Sequence, residues 1–451
     1  MNSVLAFLAL AVGIIVAVMI PQEGQPALIF LIALTAVAGL AIYRVKQDRK
    51  FLFHIFLMAL ILRVLVGGLI FRFHMQEFFG GDAFTYDEYG YSLAHSWQFG
   101  YTFADEWFTA AGGAGWGMMY LVASIYYLVG RNMLAVQFFN AVLGAATVPI
   151  IYLCAYILFR NIRVSRISAY LVALYPSLIL WSSQGLKDSP IIFLLAVSML
   201  ATLKLGEKLS LKYVLILVGA LFGILAMRFY IFYMLVAAIG GSFIIGMRAF
   251  SAQSLLRQFV IIISVGLGLT YIGVTKTATV QFSSFANLES VQRQREVQAR
   301  LANTGFGQDV DVTTTSGALS AIPVGLTYLL FAPFPWQLVN VRQSITLPEM
   351  IVWWGAFPVF VLGLWFTTKY KLRQVLPILV FTIMLTLAYA LVQGNVGTAY
   401  RQRSQLLVFY FMFVAVGISL LIEVRESQRE YARAAKDAVL ARRSTHQNDH
   451  A

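Results

Sequence analysis

One cysteine, Cys154, occurs in 451 residues, so no disulfide can form within the chain. Cys154 sits in an apolar run with no histidine or aspartate beside it, which disfavours a thiol nucleophile and reads as a small buried hydrophobe. Histidine is nearly as scarce, with five in all, and His54, His74 and His95 are too scattered for a metal-binding pattern. Charge is the third shortage. Only 12% of the residues are charged, against about a quarter in a soluble domain. With 60% hydrophobic residues and a mean hydropathy of +0.77, no aqueous core could hide these side chains. Lipid must be part of the solvent, and the expected fold class is an all-α polytopic membrane protein.

The charge that remains is unbalanced, 33 Lys and Arg against 20 Asp and Glu, a net +13. In a soluble chain this would raise nucleic acid as a partner. Here the cations fall in short runs between apolar segments, as in Arg44–Lys50, Arg160–Arg166, Lys204–Lys208 and Lys369–Arg373. That pattern marks cytoplasmic loops facing anionic lipid, so membrane lipids are expected partners and nucleic acid is not. The first twenty residues lack a basic start and a small-residue cleavage site and read as a retained helix.

Apolar runs at 4–20, 27–43, 51–71, 133–159, 168–183, 189–203, 213–227, 229–247, 258–275, 347–366, 374–392 and 404–422 give about twelve full crossings, with both termini cytoplasmic. Two shorter apolar segments, 116–130 and the proline-interrupted 320–336, are expected not to cross fully. The division expected from these runs is a hairpin with a basic loop (1–50), a transmembrane module (51–275) carrying an outer loop at 72–132, a second outer loop (276–319), a C-terminal transmembrane module (320–422) and a charged cytoplasmic tail (423–451).

The unusual chemistry collects on the outer side. Asp82 follows Gly80-Gly81 and is walled by Phe78, Phe79, Phe84 and Tyr86. A carboxylate so placed could act as a general base or orient a sugar hydroxyl; it could equally cap a helix. Asp82 and Tyr86 share a helix face at i,i+4, while Asp87 and Glu88 suit a solvated face or a substrate contact. Lys187-Asp188 closes a turn before Pro190, where Asp188 could be satisfied by helix amides or could join Asp82 as a ligand of substrate or metal. Arg228, Arg401 and Arg403 suit a lipid-linked phosphate, whose departure needs cations or a metal to absorb charge; snorkelling at the membrane surface is the plainer alternative. No cofactor is certain. A divalent metal, held if at all by Asp82 and Asp188, is the one open possibility.

The run Phe79-Gly80-Gly81-Asp82 with Tyr86-Asp87 and Tyr89 resembles the first luminal or periplasmic loop of the GT-C type membrane glycosyltransferases. These include the protein O-mannosyltransferases, the aminoarabinose transferase of lipid A and bacterial envelope transferases. Ala173–Ser183, with Asp188 after it, is similar to a second region of that family, although Leu186-Lys187-Asp188 stands where relatives often carry Arg-Pro-Asp. The resemblance implies a GT-C-like bundle in a bacterial inner membrane, with the active site facing the periplasm. It implies transfer of a sugar from a polyprenyl-phosphate donor to a hydroxyl of a glycan, lipid or protein. Asp82 and Asp188 would be catalytic, and Tyr86, Asp87, Glu88, Lys187, Arg228, Arg401 and Arg403 would bind substrate. A polysaccharide polymerase or ligase would instead rest on residues of loop 276–319. A transporter of lipid-linked sugars would need mid-membrane polar groups that most of the apolar runs lack.

Overall fold

A computed structural model describes residues 2–100, 115–245, 287–301, 304–307 and 310–448, with a few isolated positions between 260 and 268. The described elements are helices, joined by a single isolated bridge, Gly305 to Asn395. The first three, α1 (Asn2–Met19), α2 (Gly24–Tyr43) and α3 (Arg49–Arg72), lead into a short α4 (Gln76–Gly80) and a polar α5 (Asp82–Phe99). Then come α6 (Gly117–Val129), α7 (Met133–Phe159), α8 (Ile162–Leu174), α9 (Pro176–Ser182), α10 (Asp188–Glu207), α11 (Leu211–Met227) and α12 (Phe229–Ile245). The C-terminal part holds α13 (Leu288–Leu301), α14 (Thr315–Phe331), α15 (Val341–Val392) and α16 (Val396–Asn448).

Six described helices are long and apolar enough to cross a membrane, and α8 with α9 would make a seventh. This is a multi-pass membrane protein. The 52 residues of α15 would run about 78 Å at about 1.5 Å per residue, far beyond a hydrocarbon layer of about 30 Å. Lys371 leaves helical geometry within it (φ −132°, ψ 15°), between the runs 347–366 and 374–392. The short segment 116–130 appears as α6. The run 320–336 is one helix through Pro323, followed by a 3₁₀ turn at Pro335–Gln337. The run 258–275 falls largely outside the described residues.

The run 168–183 was expected as one straight span, but α8 and α9 meet at 56°. Pro176 lacks the N–H that would bond the Val172 carbonyl. Arg63, buried in α3, takes its place. Its Nη2 donates to Val172 O at 3.3 Å, Nη1 to Ala173 O at 3.2 Å, and Nε to Ser182 Oγ at 2.8 Å. A charge inside the apolar bundle is thus spent on a backbone break.

The pairing of α15 with α16 depends on two glycines. A Cβ on Gly363 would lie 1.9 Å from Phe413 O, and one on Gly417 would lie 2.2 Å from Val359 O. Small residues let helix backbones approach this closely. Gly363→Val is therefore expected to destabilise the bundle by about 1–3 kcal/mol or more through overpacking. The thermal unfolding midpoint in detergent checks this, and an unchanged midpoint would mean that the two helices are not so closely apposed.

Candidate functional site

Four separate stretches bring their charges to one end of the bundle. Asp188 opens α10 after the turn at 183–187. Asn140 of α7 holds that turn by donating through Nδ2 to Gln184 O (2.6 Å) and Leu186 O (2.8 Å). Asp82 opens α5. Arg228 is the single residue between α11 and α12, and Arg401 lies in the second turn of α16.

Arg401 joins the two aspartates. Its Nε donates to Asp188 Oδ2 at 2.6 Å, and its Nη1 to Asp82 Oδ2 at 2.8 Å. Arg228 Nη2 donates to Asp188 Oδ1 at 3.2 Å, and Gln405 Nε2 reaches the same oxygen at 3.3 Å. Tyr389 orients Gln405 through an O–H···Oε1 bond of 2.7 Å. Neither aspartate serves as a helix cap through its side chain: the amide-satisfied reading of Asp188 gives way to one in which guanidinium and amide side chains surround it. Asp188 is wholly buried. Asp82 is 54% exposed, leaving Oδ1 without a hydrogen bond to the described residues.

Lys187 adds a third cation to these two carboxylates. Its Nζ lies close to Gly115, which takes a left-handed φ of +79°. Burial, and then the positive charge of Arg228, pull the Lys187 ammonium down to about 8. Tyr86 is buried in the same region. Burial, and then the charge of Asp82, push its phenol above its usual range.

The other expected site residues lie elsewhere. Asp87 accepts from Arg131 Nη2 (2.5 Å) and Nε (3.2 Å) and from the Tyr126 hydroxyl, which ties α5 to α6 and the start of α7. Glu88 is exposed to solvent. Arg403 is fully buried and donates to Leu329 O (3.4 Å), Leu330 O (2.9 Å) and Ala332 O (3.1 Å) at the end of α14. Pro333 and Pro335 cannot supply N–H groups to that helix end, and Arg403 stands in for them together with the indoles of Trp353 and Trp354. None of these three joins the Asp82–Asp188 cluster. Gln405 does join it, and the signal that could have found it is its i,i+4 spacing from Arg401 on one helix face.

Asp82 and Asp188, the expected metal pair, are bridged by Arg401. A guanidinium lies between them, and a divalent ion there would have to displace Arg401. No group of three His, Cys, Asp or Glu side chains that could hold an ion occurs among the described residues.

A cavity of about 610 Å³ abuts the cluster. It is bounded by α4, α9, the start of α15, the first turns of α16 and the turn at 393–395 that precedes them. That turn is stitched to the segment after α13: Phe306 N donates to Gly394 O (2.8 Å), Val396 N to Thr304 O (3.1 Å) and the Thr304 hydroxyl to Asn395 Oδ1 (2.6 Å).

Fold and site together define a multi-pass helical membrane protein with a buried carboxylate–guanidinium cluster at one end of the bundle. Residues 115–273 match the model of the dolichyl-phosphate-mannose-protein mannosyltransferase family, a likeness to GT-C type membrane glycosyltransferases over that stretch. The match contains Lys187, Asp188 and Arg228; Asp82 and Arg401 lie outside it. No curated protein matches the chain significantly. Among solved structures, the chain is similar to the archaeal oligosaccharyltransferase AglB from Archaeoglobus fulgidus in complex with an inhibitory peptide and a dolichol-phosphate (12% identity, TM-score 0.43, 84% of this chain and 52% of that one). It is also similar to the Archaeoglobus fulgidus oligosaccharyltransferase in the apo form (13% identity, TM-score 0.45, 87% of this chain and 52% of that one). The chain therefore spans about half the length of these structures.

Proposed function

We propose that the protein transfers a sugar from a polyprenyl-phosphate-linked donor to a hydroxyl acceptor on the outer face of a bacterial inner membrane. The observation that carries this reading is the bridge of Arg401 between Asp82 and Asp188, with Arg228 and Lys187 beside it. Three cations against two carboxylates leave a net positive charge, suited to a phosphate anion. Asp82, whose Oδ1 has no hydrogen bond among the described residues, accepts the proton of the acceptor hydroxyl. The acceptor's oxygen, so deprotonated, forms the new bond to the anomeric carbon. The bond from this carbon to the phosphate oxygen breaks, and its electron pair leaves with the polyprenyl phosphate, facing Lys187, Arg228 and Arg401. Tyr86 lines the same region. About twelve crossings with both termini cytoplasmic would set this cluster on the outer side, consistent with the cationic runs at the other ends of the helices.

The test is transfer of a labelled sugar from polyprenyl-phosphate donors by the purified protein in proteoliposomes. Transfer supports the reading; no transfer across a panel of donors and hydroxyl acceptors would sink it. Because a guanidinium fills the space between the carboxylates, transfer is expected to persist in EDTA, and its loss on chelation would overturn the arginine-based account of leaving-group stabilisation.

A pH dependence follows from Lys187. A bound phosphate favours the protonated amine. Donor affinity is therefore expected to be full below about pH 8 and to fall as pH rises through that value. Lys187→Met should weaken binding and flatten the profile. A wild-type profile that stays flat up to pH 9.5, about a unit and a half above that value, would remove Lys187 from the phosphate site.

A further inference from the structure

We propose that the 610 Å³ cavity binds the anionic part of the acceptor, a phosphate- or carboxylate-bearing glycan, through Arg342 and Arg401. This rests on the transferase reading above and adds the chemical class of the acceptor. At about 30 Å³ per water, the cavity holds about twenty waters, too much room for a phosphate alone and enough for one or two sugar rings.

Among the described residues its lining contains two guanidiniums and no carboxylate. Arg342 is exposed, stacks its guanidinium 5.2 Å from the Phe78 ring centre, and makes no hydrogen bond or ion pair with the described residues. It stands in the first turn of α15, where the helix dipole already supplies partial positive charge, so an arginine there is unfavourable without an anion. Asn340 caps only the Gln343 amide (2.9 Å), which leaves the first amides of α15 pointing the same preference toward negative charge. On the other wall stands Arg401, whose side chain is partly exposed and whose Nη2, itself closed off, has no acceptor among the described residues. Two separate cationic groups therefore border one chamber, and Arg342 brings to it donors that no described residue uses.

Asp82, Asp188, Lys187 and Arg228 do not line this chamber; Arg401 alone belongs to both the cluster and the cavity. This divides the work. A donor phosphate lies with Lys187 and Arg228, and the acceptor's anion lies with Arg342. Arg401 between them sets the acceptor hydroxyl toward Asp82, to which it is bonded. Phe78, Phe79 and Trp181 offer ring faces, and Thr346, Asn395 and Thr398 offer hydrogen-bonding groups for a sugar, beside the apolar Leu180, Ile345 and Val396.

Titration calorimetry on the full chain in phosphatidylcholine nanodiscs tests this, with glucose 6-phosphate, glucuronate and neutral glucose as probes. Undecaprenyl phosphate is titrated in parallel. At least one anionic sugar is expected to bind more tightly than glucose. Arg342→Gln should weaken it about tenfold or more, the cost of losing a charged hydrogen bond, while Lys187→Gln changes it by less than about twofold. The order should reverse for undecaprenyl phosphate. If neither anionic sugar outbinds glucose, or if Arg342→Gln leaves their affinity unchanged, the acceptor site is overturned. If Arg342→Gln weakens undecaprenyl phosphate as much as Lys187→Gln does, the chamber belongs to the lipid carrier. These are binding readouts, so failure of the transferase reading would show separately, as absent sugar transfer with anion binding intact. Arg342 is exposed, and an unchanged thermal midpoint would confirm that its variant is folded.

Discussion

Asp82→Asn is expected to lower sugar transfer by about 10²- to 10⁴-fold while the protein keeps its fold, the range usual for loss of a general base. The separation of these two effects comes from exposure. Asp82 is more than half exposed and begins α5 without capping it, so its amide analogue can keep the hydrogen bond to Arg401 at little structural cost. Asparagine cannot take the hydroxyl proton. Transfer rate in proteoliposomes, with the donor held saturating, reads the chemistry, and size-exclusion behaviour with the unfolding midpoint reads the fold. Wild-type transfer by Asp82→Asn would remove Asp82 from the proton step and leave Asp188 as the remaining carboxylate of the cluster.

Asp188→Ala should fail in the opposite way. Asp188 is fully buried and compensates two guanidiniums, Arg228 at 3.2 Å and Arg401 at 2.6 Å. Deleting one partner of a buried pair leaves uncompensated charge and typically costs about 3–5 kcal/mol. The expected result is a strong loss of monodisperse protein and a lowered midpoint. The double variant Asp188→Leu with Arg228→Met removes one charge of each sign and should recover part of the loss. An Asp188→Ala protein as stable as wild type would mean that the guanidiniums find other counter-charge or solvent, and that the cluster is less enclosed than the structure indicates.

The multi-pass helical character was legible in the sequence because it follows from hydropathy, which depends on local composition. The clustering of Asp82, Lys187, Asp188, Arg228 and Arg401 was legible as a set of charges at span ends, but not as contacts. Arg401 is separated from Asp82 by 319 positions and from Asp188 by 213, and only packing brings them together. Arg401 and Arg403 looked alike in the sequence. Two residues apart on a helix, they face nearly opposite directions, so one meets the aspartates and the other meets the end of α14. Asp87 likewise points to Arg131, whose partnership no spacing rule foretells. Pro176 was visible as a proline in an apolar run, but the bend it makes was not expected. Nor was its remedy, because the replacement donor comes from Arg63 on α3.

The two arginines at proline breaks carry a consequence for how such a chain can vary. Arg63 with Pro176, and Arg403 with Pro333, each act as one structural unit within the chain. A proline orphans a carbonyl, and a distant guanidinium answers it. Losing the arginine alone strands the carbonyl in hydrocarbon, whereas losing the proline alone restores a helix amide and makes the arginine superfluous, a buried charge with diminished purpose. Substitutions in such pairs are tolerated in one order and not in the other, proline first and arginine second. A charged residue within a membrane span can therefore be a record of a backbone break elsewhere in the chain, readable only when its partner is read with it.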